Sequence, residues 1–238
     1  MAGAGKKTFT AGEVLTASDV NTYLMEQSVM YFGGTAARSS AIPTPSTGMT
    51  TYIGVTGTAS IPQIETYTGS AWQTPYGLTQ VANVSFTSAA SIAIDNVFST
   101  TYTNYLFHWR MTAASGTDVE LQLRGRIAGV DKTTGLRDTR LQIQNTTLTG
   151  TIDNALRIGN TSNTFPAFAV GNFTLFNPNI ATATTFSGQS LYTSNAGVDN
   201  QFVHGGYCNV AEQWDGAKIV ASTGTISGTV RVYGYRNS

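Results

Sequence analysis

From Val119 to Ile127 the chain reads Val-Glu-Leu-Gln-Leu-Arg-Gly-Arg-Ile, with apolar side chains at 119, 121, 123 and 127 and polar ones between them. Successive side chains of a strand point to opposite faces, so this spacing predicts a half-buried strand with a polar outer face. Leu141-Gln142-Ile143-Gln144 repeats the pattern. Stretches rich in β-branched and aromatic residues add strand candidates at 84–86, 105–112, 168–176, 186–192, 202–210, 218–221 and 229–235. Turn-forming clusters at 115–118, 160–163 and 194–197 punctuate them. Eight or so strands with no alternating helices predict a mainly β fold, an antiparallel β-sandwich of jelly-roll type, over residues 81–238.

The first 32 residues follow another pattern. Their start is rich in Gly, Ala and Thr without periodicity and reads as an extended arm. Val20, Tyr23, Leu24 and Gln27 then recur at helical spacing. Thr16 is placed to cap this helix by accepting from the amide three residues on, and Asp19 sits in its first turn, where a negative charge is favoured. The segment is the one convincing helix that the pattern predicts. About three turns are unstable alone in water, so the apolar stripe must dock on something.

Residues 33–80 form a third zone. Pro43 and Pro45 exclude helix from a turn-rich connector over 41–48. Strands are expected at 49–55, 63–68 and 71–73, with a tight turn at Gly69-Ser70. Two or three strands make no independent core. This hairpin module and linker is expected to pack against neighbours, in a trimer.

Composition sharpens the picture. Only 11% of residues are charged and the formal net charge is zero, against roughly 25% charged residues in an ordinary soluble domain. Thr, Ser, Asn and Gln must keep the surface wet, and a neutral surface resists self-association poorly. A nucleic-acid partner would require a basic face, so none is expected. The lone Cys208 forms no disulfide within the chain and builds no thiolate zinc site. Two lysines near the start precede no apolar run, so no secretory signal is read. No stretch approaches the ~20 apolar residues that span a bilayer, and synthesis in a cytoplasm without membrane insertion is expected. Residues 158–198 carry no charge but contain Phe165, Phe168, Phe173, Phe176, Phe186 and Tyr192, which suits a core and also a subunit interface.

Candidate chemistry is sparse. The two histidines, His108 and His204, exclude a His-rich metal site, and no Gly-x-Ser-x-Gly elbow accompanies them. A triad would require one of them beside a Ser or Thr and an acid. Asp118 and Glu120 lie two apart on one polar strand face. Glu212 and Asp215 flank Trp214 in a loop. An exposed Trp214 would stack on a sugar while the carboxylates bond its hydroxyls; alternatively the ring plugs the end of the sandwich. No enzyme activity, cofactor or metal is expected.

The run Phe9-Thr-Ala-Gly-Glu-Val14-Leu15-Thr-Ala-Ser-Asp-Val20-Asn21, followed by Tyr23-Leu24-Met-Glu-Gln27, resembles the opening of tailed-bacteriophage virion proteins. It is similar to minor tail proteins and fibres of actinobacterial phages. Thr35 to Arg38, Ile42-Pro-Thr-Pro45, Tyr52 and Tyr67-Thr-Gly-Ser-Ala-Trp72 look like the hairpin module found there, and the 228–235 end looks like the C-terminal sandwich. The resemblance implies a virion location, a homotrimer, and an N-terminal anchor on tail, collar or capsid proteins. Phe9, Val14, Leu15, Val20, Tyr23 and Leu24 would make the anchor and oligomer contacts. It also implies an outward sandwich that contacts host surface glycan. Capsid or collar decoration without receptor binding is the alternative role, and a glycan-binding module is another.

Overall fold

The computed structural model describes residues 10–20, 29–54, 63–74, 77–163 and 169–236. It divides into two compact units, 1–76 and 77–238. Strands account for most of the C-terminal unit, as the mainly β pattern requires, while the N-terminal unit combines, among the described residues, four short strands with two short helices.

In the N-terminal unit, Thr10 to Glu13 form a tight turn rather than extended chain, closed by the Glu13 amide donating to the Thr10 carbonyl at 3.0 Å. Gly12, at φ 88°, supplies the left-handed residue that such a turn requires. Helix α1 is described over Ala17–Val20. Its Thr16 hydroxyl accepts from the Asp19 amide at 3.1 Å, and Asp19 Oδ2 accepts from the Thr16 amide at 3.2 Å. This reciprocal capping box is the start predicted from Thr16.

Strand β1 (Met30–Phe32), helix α2 (Thr35–Ala41) and strand β2 (Thr50–Ile53) follow, with β1 and β2 parallel. Strands β3 (Gln63–Tyr67) and β4 (Trp72–Gln73) complete a four-stranded sheet in the order β1-β2-β3-β4. The end of the expected arm-and-helix zone, 30–32, therefore belongs to the module's sheet. Helix α2 also corrects the expectation of a single helix. Its seven residues carry no amphipathic signal and are held instead by a tertiary contact. Arg38, buried on α2, pairs with buried Glu65 of β3. Its guanidinium lies 4.7 Å above the Trp72 ring.

The C-terminal unit contains β5 (Leu78–Ala89), β6 (Ser91–Ile94), β7 (Tyr102–Ala114), β8 (Val119–Ile127), β9 (Val130–Asp131), β10 (Leu136–Gln144) and β11 (Thr147–Asp153). Next come β12 (Leu156–Thr161), β13 (Ala169–Phe176), β14 (Thr184–Thr193), β15 (Asp199–Cys208), β16 (Gly216–Ala221) and β17 (Ile226–Arg236). One sheet runs β11-β10-β15-β14-β13-β7-β17-β5. The other runs β12-β8-β16-β6, with β9 paired to β8. All pairings within this unit are antiparallel. Residues 78–80, placed in the linker by pattern, are the first of β5. The β5–β17 ladder is interrupted by register shifts at Ile226/Gly228 and at Val232/Tyr233.

The inward faces interdigitate in one core. Phe107, Phe173, Phe202 and Val230 come from the large sheet and Leu121, Leu123, Ile158 and Ile219 from the small one. Phe107 and Phe173 stack with centroids 4.6 Å apart. Of the uncharged aromatics, Phe173, Phe186 and Tyr192 are core, while Phe165 and Phe168 lie outside the described residues.

Strand β10 overturns one expectation. Leu136 and Asp138 point inward, so Arg140 and Gln142 do too, and Leu141 and Ile143 face solvent. A strand's side-chain period of two leaves no other choice once one residue is buried. The cluster at 160–163 likewise is not simply a turn, since Asn160 and Thr161 end β12 and are buried.

Candidate functional site

The predicted anchor residues divide in two groups. Val14 and Leu15 are 81% and 51% exposed, and Val20 is half-buried. Phe9, Tyr23 and Leu24 lie outside the described residues. The small sheet of the same unit adds apolar surface that pattern reading missed. Tyr31 on β1, Tyr52 on β2 and Ile64 on β3 are register partners in one row on the face opposite Arg38 and Glu65. All three are exposed, Tyr31 by 69%. The two tyrosine rings stack with centroids 5.9 Å apart, and Gly54 leaves room for the Tyr31 hydroxyl end. Strict alternation carries these side chains to the outer face, where among the described residues they remain exposed.

The large sheet of the C-terminal unit also shows an apolar outer face. Val170 lies beside Leu191, Leu141 beside Val203, and Ile143 beside Leu148. All six are exposed. A shallow open depression of about 270 Å³ lies among Val170, Asn172, Gln189, Leu191 and Gln201. A second, of about 320 Å³, is polar and is lined by Arg137, Asn154, Tyr207 and Asn209.

The loop proposed for sugar stacking is corrected. Trp214 is 0% exposed, so no ligand ring reaches its face from solvent. Its amide donates to the Pro178 carbonyl at 2.7 Å, and its own carbonyl accepts from Asn179 Nδ2 at 2.9 Å. Gly125 of β8 faces the indole; a Cβ there would stand 2.1 Å from the ring. The ring seals the sandwich, the other reading that the sequence allowed. Glu212 pairs with Lys132 at 2.9 Å, and Asp215 Oδ2 accepts from the Ala128 amide at 2.6 Å. Both carboxylates therefore hold neighbouring loops together.

A serine–histidine pair does form. Ser190 on β14 and His204 on β15 approach to 2.9 Å between Oγ and Nε2. Asp138 stands diagonally from His204 on the same inward face, because Arg140 opposes His204 and Asp138 opposes Gly206. Ser190, His204 and Asp138 are all buried, so the group has no reach to solvent. Burial, helped by the nearby Arg140 charge, pushes His204 down to about 4. Burial pushes Asp138 up to about 7, against the pull of Arg140, the Arg157 amide and the Arg157 charge. Near pH 6 both groups are thus neutral, which is how a core tolerates them. His108 is exposed on the outer face of β7, edge-on to Tyr233. Glu120 is ion-paired with Arg157 and with Arg140, and Asp118 Oδ1 accepts from the Asn195 amide at 3.2 Å.

Among the described residues no three His, Cys, Asp or Glu side chains are grouped to hold a metal ion. Among them also, no helix is long and apolar enough to cross a membrane. No family model matches the chain, and no curated protein or solved structure matches it.

Proposed function

We propose that the chain is a structural bacteriophage virion protein, a trimeric fibre or spike. It attaches through its N-terminal residues and carries the sandwich outward. The observation that carries this reading is the apolar surface of the N-terminal unit: Val14, Leu15, Tyr31, Tyr52 and Ile64 are all exposed on a small, four-stranded unit. Exposed apolar surface of this kind marks a contact face. Three neutral chains can bring such rows together without charge repulsion. The partners on the particle are tail, collar or capsid proteins. The role is binding and support, without catalysis or cofactor.

The glycan reading loses its stacking ring with Trp214 buried. Decoration of a capsid or collar uses the same anchor and differs only in what the sandwich meets.

Deleting residues 1–28 leaves β1 in its sheet. The truncated chain is expected to fold, with the near-ultraviolet circular dichroism of the full chain, yet to be absent from purified particles. Normal incorporation would overturn the anchor. Light scattering on the full chain is expected to give a mass that is a whole multiple of three chains, and a persistent monomer or dimer would overturn the trimer.

A further inference from the structure

The free edge of the large sheet at β11 has an unusual sequence. We propose that β11 pairs with β11 of a second copy of this chain, antiparallel, about a two-fold axis at Gly150. This contact is additional to the N-terminal assembly and does not depend on it.

The strand reads Thr147-Leu148-Thr149-Gly150-Thr151-Ile152-Asp153. Reversed about Gly150, it matches itself in chemistry. Leu148 meets Ile152, Thr149 meets Thr151, and Thr147 meets Asp153. A two-fold contact places the same patch on both partners, so it requires this self-complementarity. No like charges face each other, since Asp153, the only ionised residue of the strand, meets Thr147 and is paired within its own chain to Arg157.

The backbone is in phase with this pairing. Strands β10 and β11 are joined by the two-residue turn Asn145-Thr146, which makes Gln144 and Thr147 the closing hydrogen-bonded pair. Bonded and non-bonded pairs alternate along an antiparallel ladder. The register runs without a shift to Asp138 and Asp153. Residues 147, 149, 151 and 153 therefore direct their N–H and C=O groups at β10. Those of Leu148, Gly150 and Ile152 point away from the sheet. These are the residues that a two-fold axis at Gly150 would bond: Gly150 to itself, and Leu148 to Ile152 in both directions.

The edge is little protected against such pairing, its one charge, Asp153, lying at the end of the strand and paired to Arg157. It has no proline, lysine or bulge, whereas the opposite edge at β5 is broken twice. Leu148 and Ile152 are 62% and 63% exposed. They stand on the outward face beside Ile143 and Thr139, and the inverted β10 adds Leu141 next to Gly150. Joining two copies would make one continuous apolar band of Leu141, Ile143, Leu148 and Ile152 from each.

Single-cysteine variants of the full chain test the register. Opposed Cα atoms of a hydrogen-bonded pair lie about 5.5 Å apart, within disulfide range. Cys208 is buried and stays out of the reaction. Mild oxidation of Gly150→Cys is expected to give a covalent pair of chains. Leu148→Cys alone is expected to give none, while a mixture of Leu148→Cys and Ile152→Cys chains does. Gly150→Lys sets two like charges against each other across the axis. A Cβ at 150 meets nothing within 4 Å, so the fold accepts it. Light scattering should then show half the mass of the unaltered chain. No covalent pair from Gly150→Cys, equal yield from Leu148→Cys alone, or a mass unchanged by Gly150→Lys would each overturn the proposal. Capture of a different protein in place of a second copy would do the same.

Discussion

Asp138→Asn is expected to turn a flat pH profile of stability into a rising one. In the folded chain His204 loses its proton near pH 4, whereas in the unfolded chain it does so near its ordinary 6.5. Between those values the unfolded state holds the extra proton, so stability rises with pH by about 1.4 kcal/mol per unit. Asp138 works in the opposite sense. Folded, it keeps its proton up to about 7, and unfolded it releases it near 3.8. The folded state holds the extra proton there, so stability falls with pH at the same rate. In the unaltered chain the two slopes cancel from about pH 4 to 6.5, and only the Asp138 fall remains up to about 7. With asparagine at 138 the histidine slope stands alone, about 3 kcal/mol across its window. His204→Gln leaves the aspartate slope alone, about 4 kcal/mol lost from pH 4 to 7. Urea unfolding of the three proteins at intervals from pH 4 to 8 checks this. Three parallel profiles would sink it.

Trp214→Ala is expected to destabilise the C-terminal unit by about 3–5 kcal/mol, the usual cost of emptying a buried tryptophan site. Were the ring a surface platform for sugar, the change would stay within about 0.5 kcal/mol. Gly125 supplies a control. A methyl at 125 overlaps the indole, so Gly125→Ala alone is costly. In the Trp214→Ala background the obstacle is gone, and Gly125→Ala should cost far less. That non-additivity assigns the effect to this contact. Additive losses in urea unfolding would mean that the glycine matters for another reason.

The sandwich was legible where one period governed a strand. Val119–Ile127 has the bounds that its alternation predicts. Pattern failed where something else set the phase. On β10 the inward Asp138 reverses the faces, so Leu141 and Ile143 sit outside despite an alternation that looks like an ordinary half-buried strand. On β12 a register shift between Arg157 and Gly159 breaks the alternation and hid the strand. Helix α2 and strand β1 rest on tertiary contacts that no local window contains. Trp214 was ambiguous because flanking carboxylates suit a binding loop and a plug equally, and only its burial decides. The pairing of Ser190 with His204 joins residues 14 positions apart through sheet register, which neither residue's neighbours reveal. Tyr31, Tyr52 and Ile64 come from three separate strands, and only their pairing makes them one row.

The two breaks in the β5 ladder decide how far edge pairing can go. A sheet open at both sides would offer each new copy another place to add, and growth would continue without limit. Here one side is irregular and the other is symmetric about Gly150. A symmetric contact consumes both edges that make it, so each event ends itself. The mismatch between the two sides therefore favours a counted complex over a fibril, in a chain whose zero net charge offers little other protection.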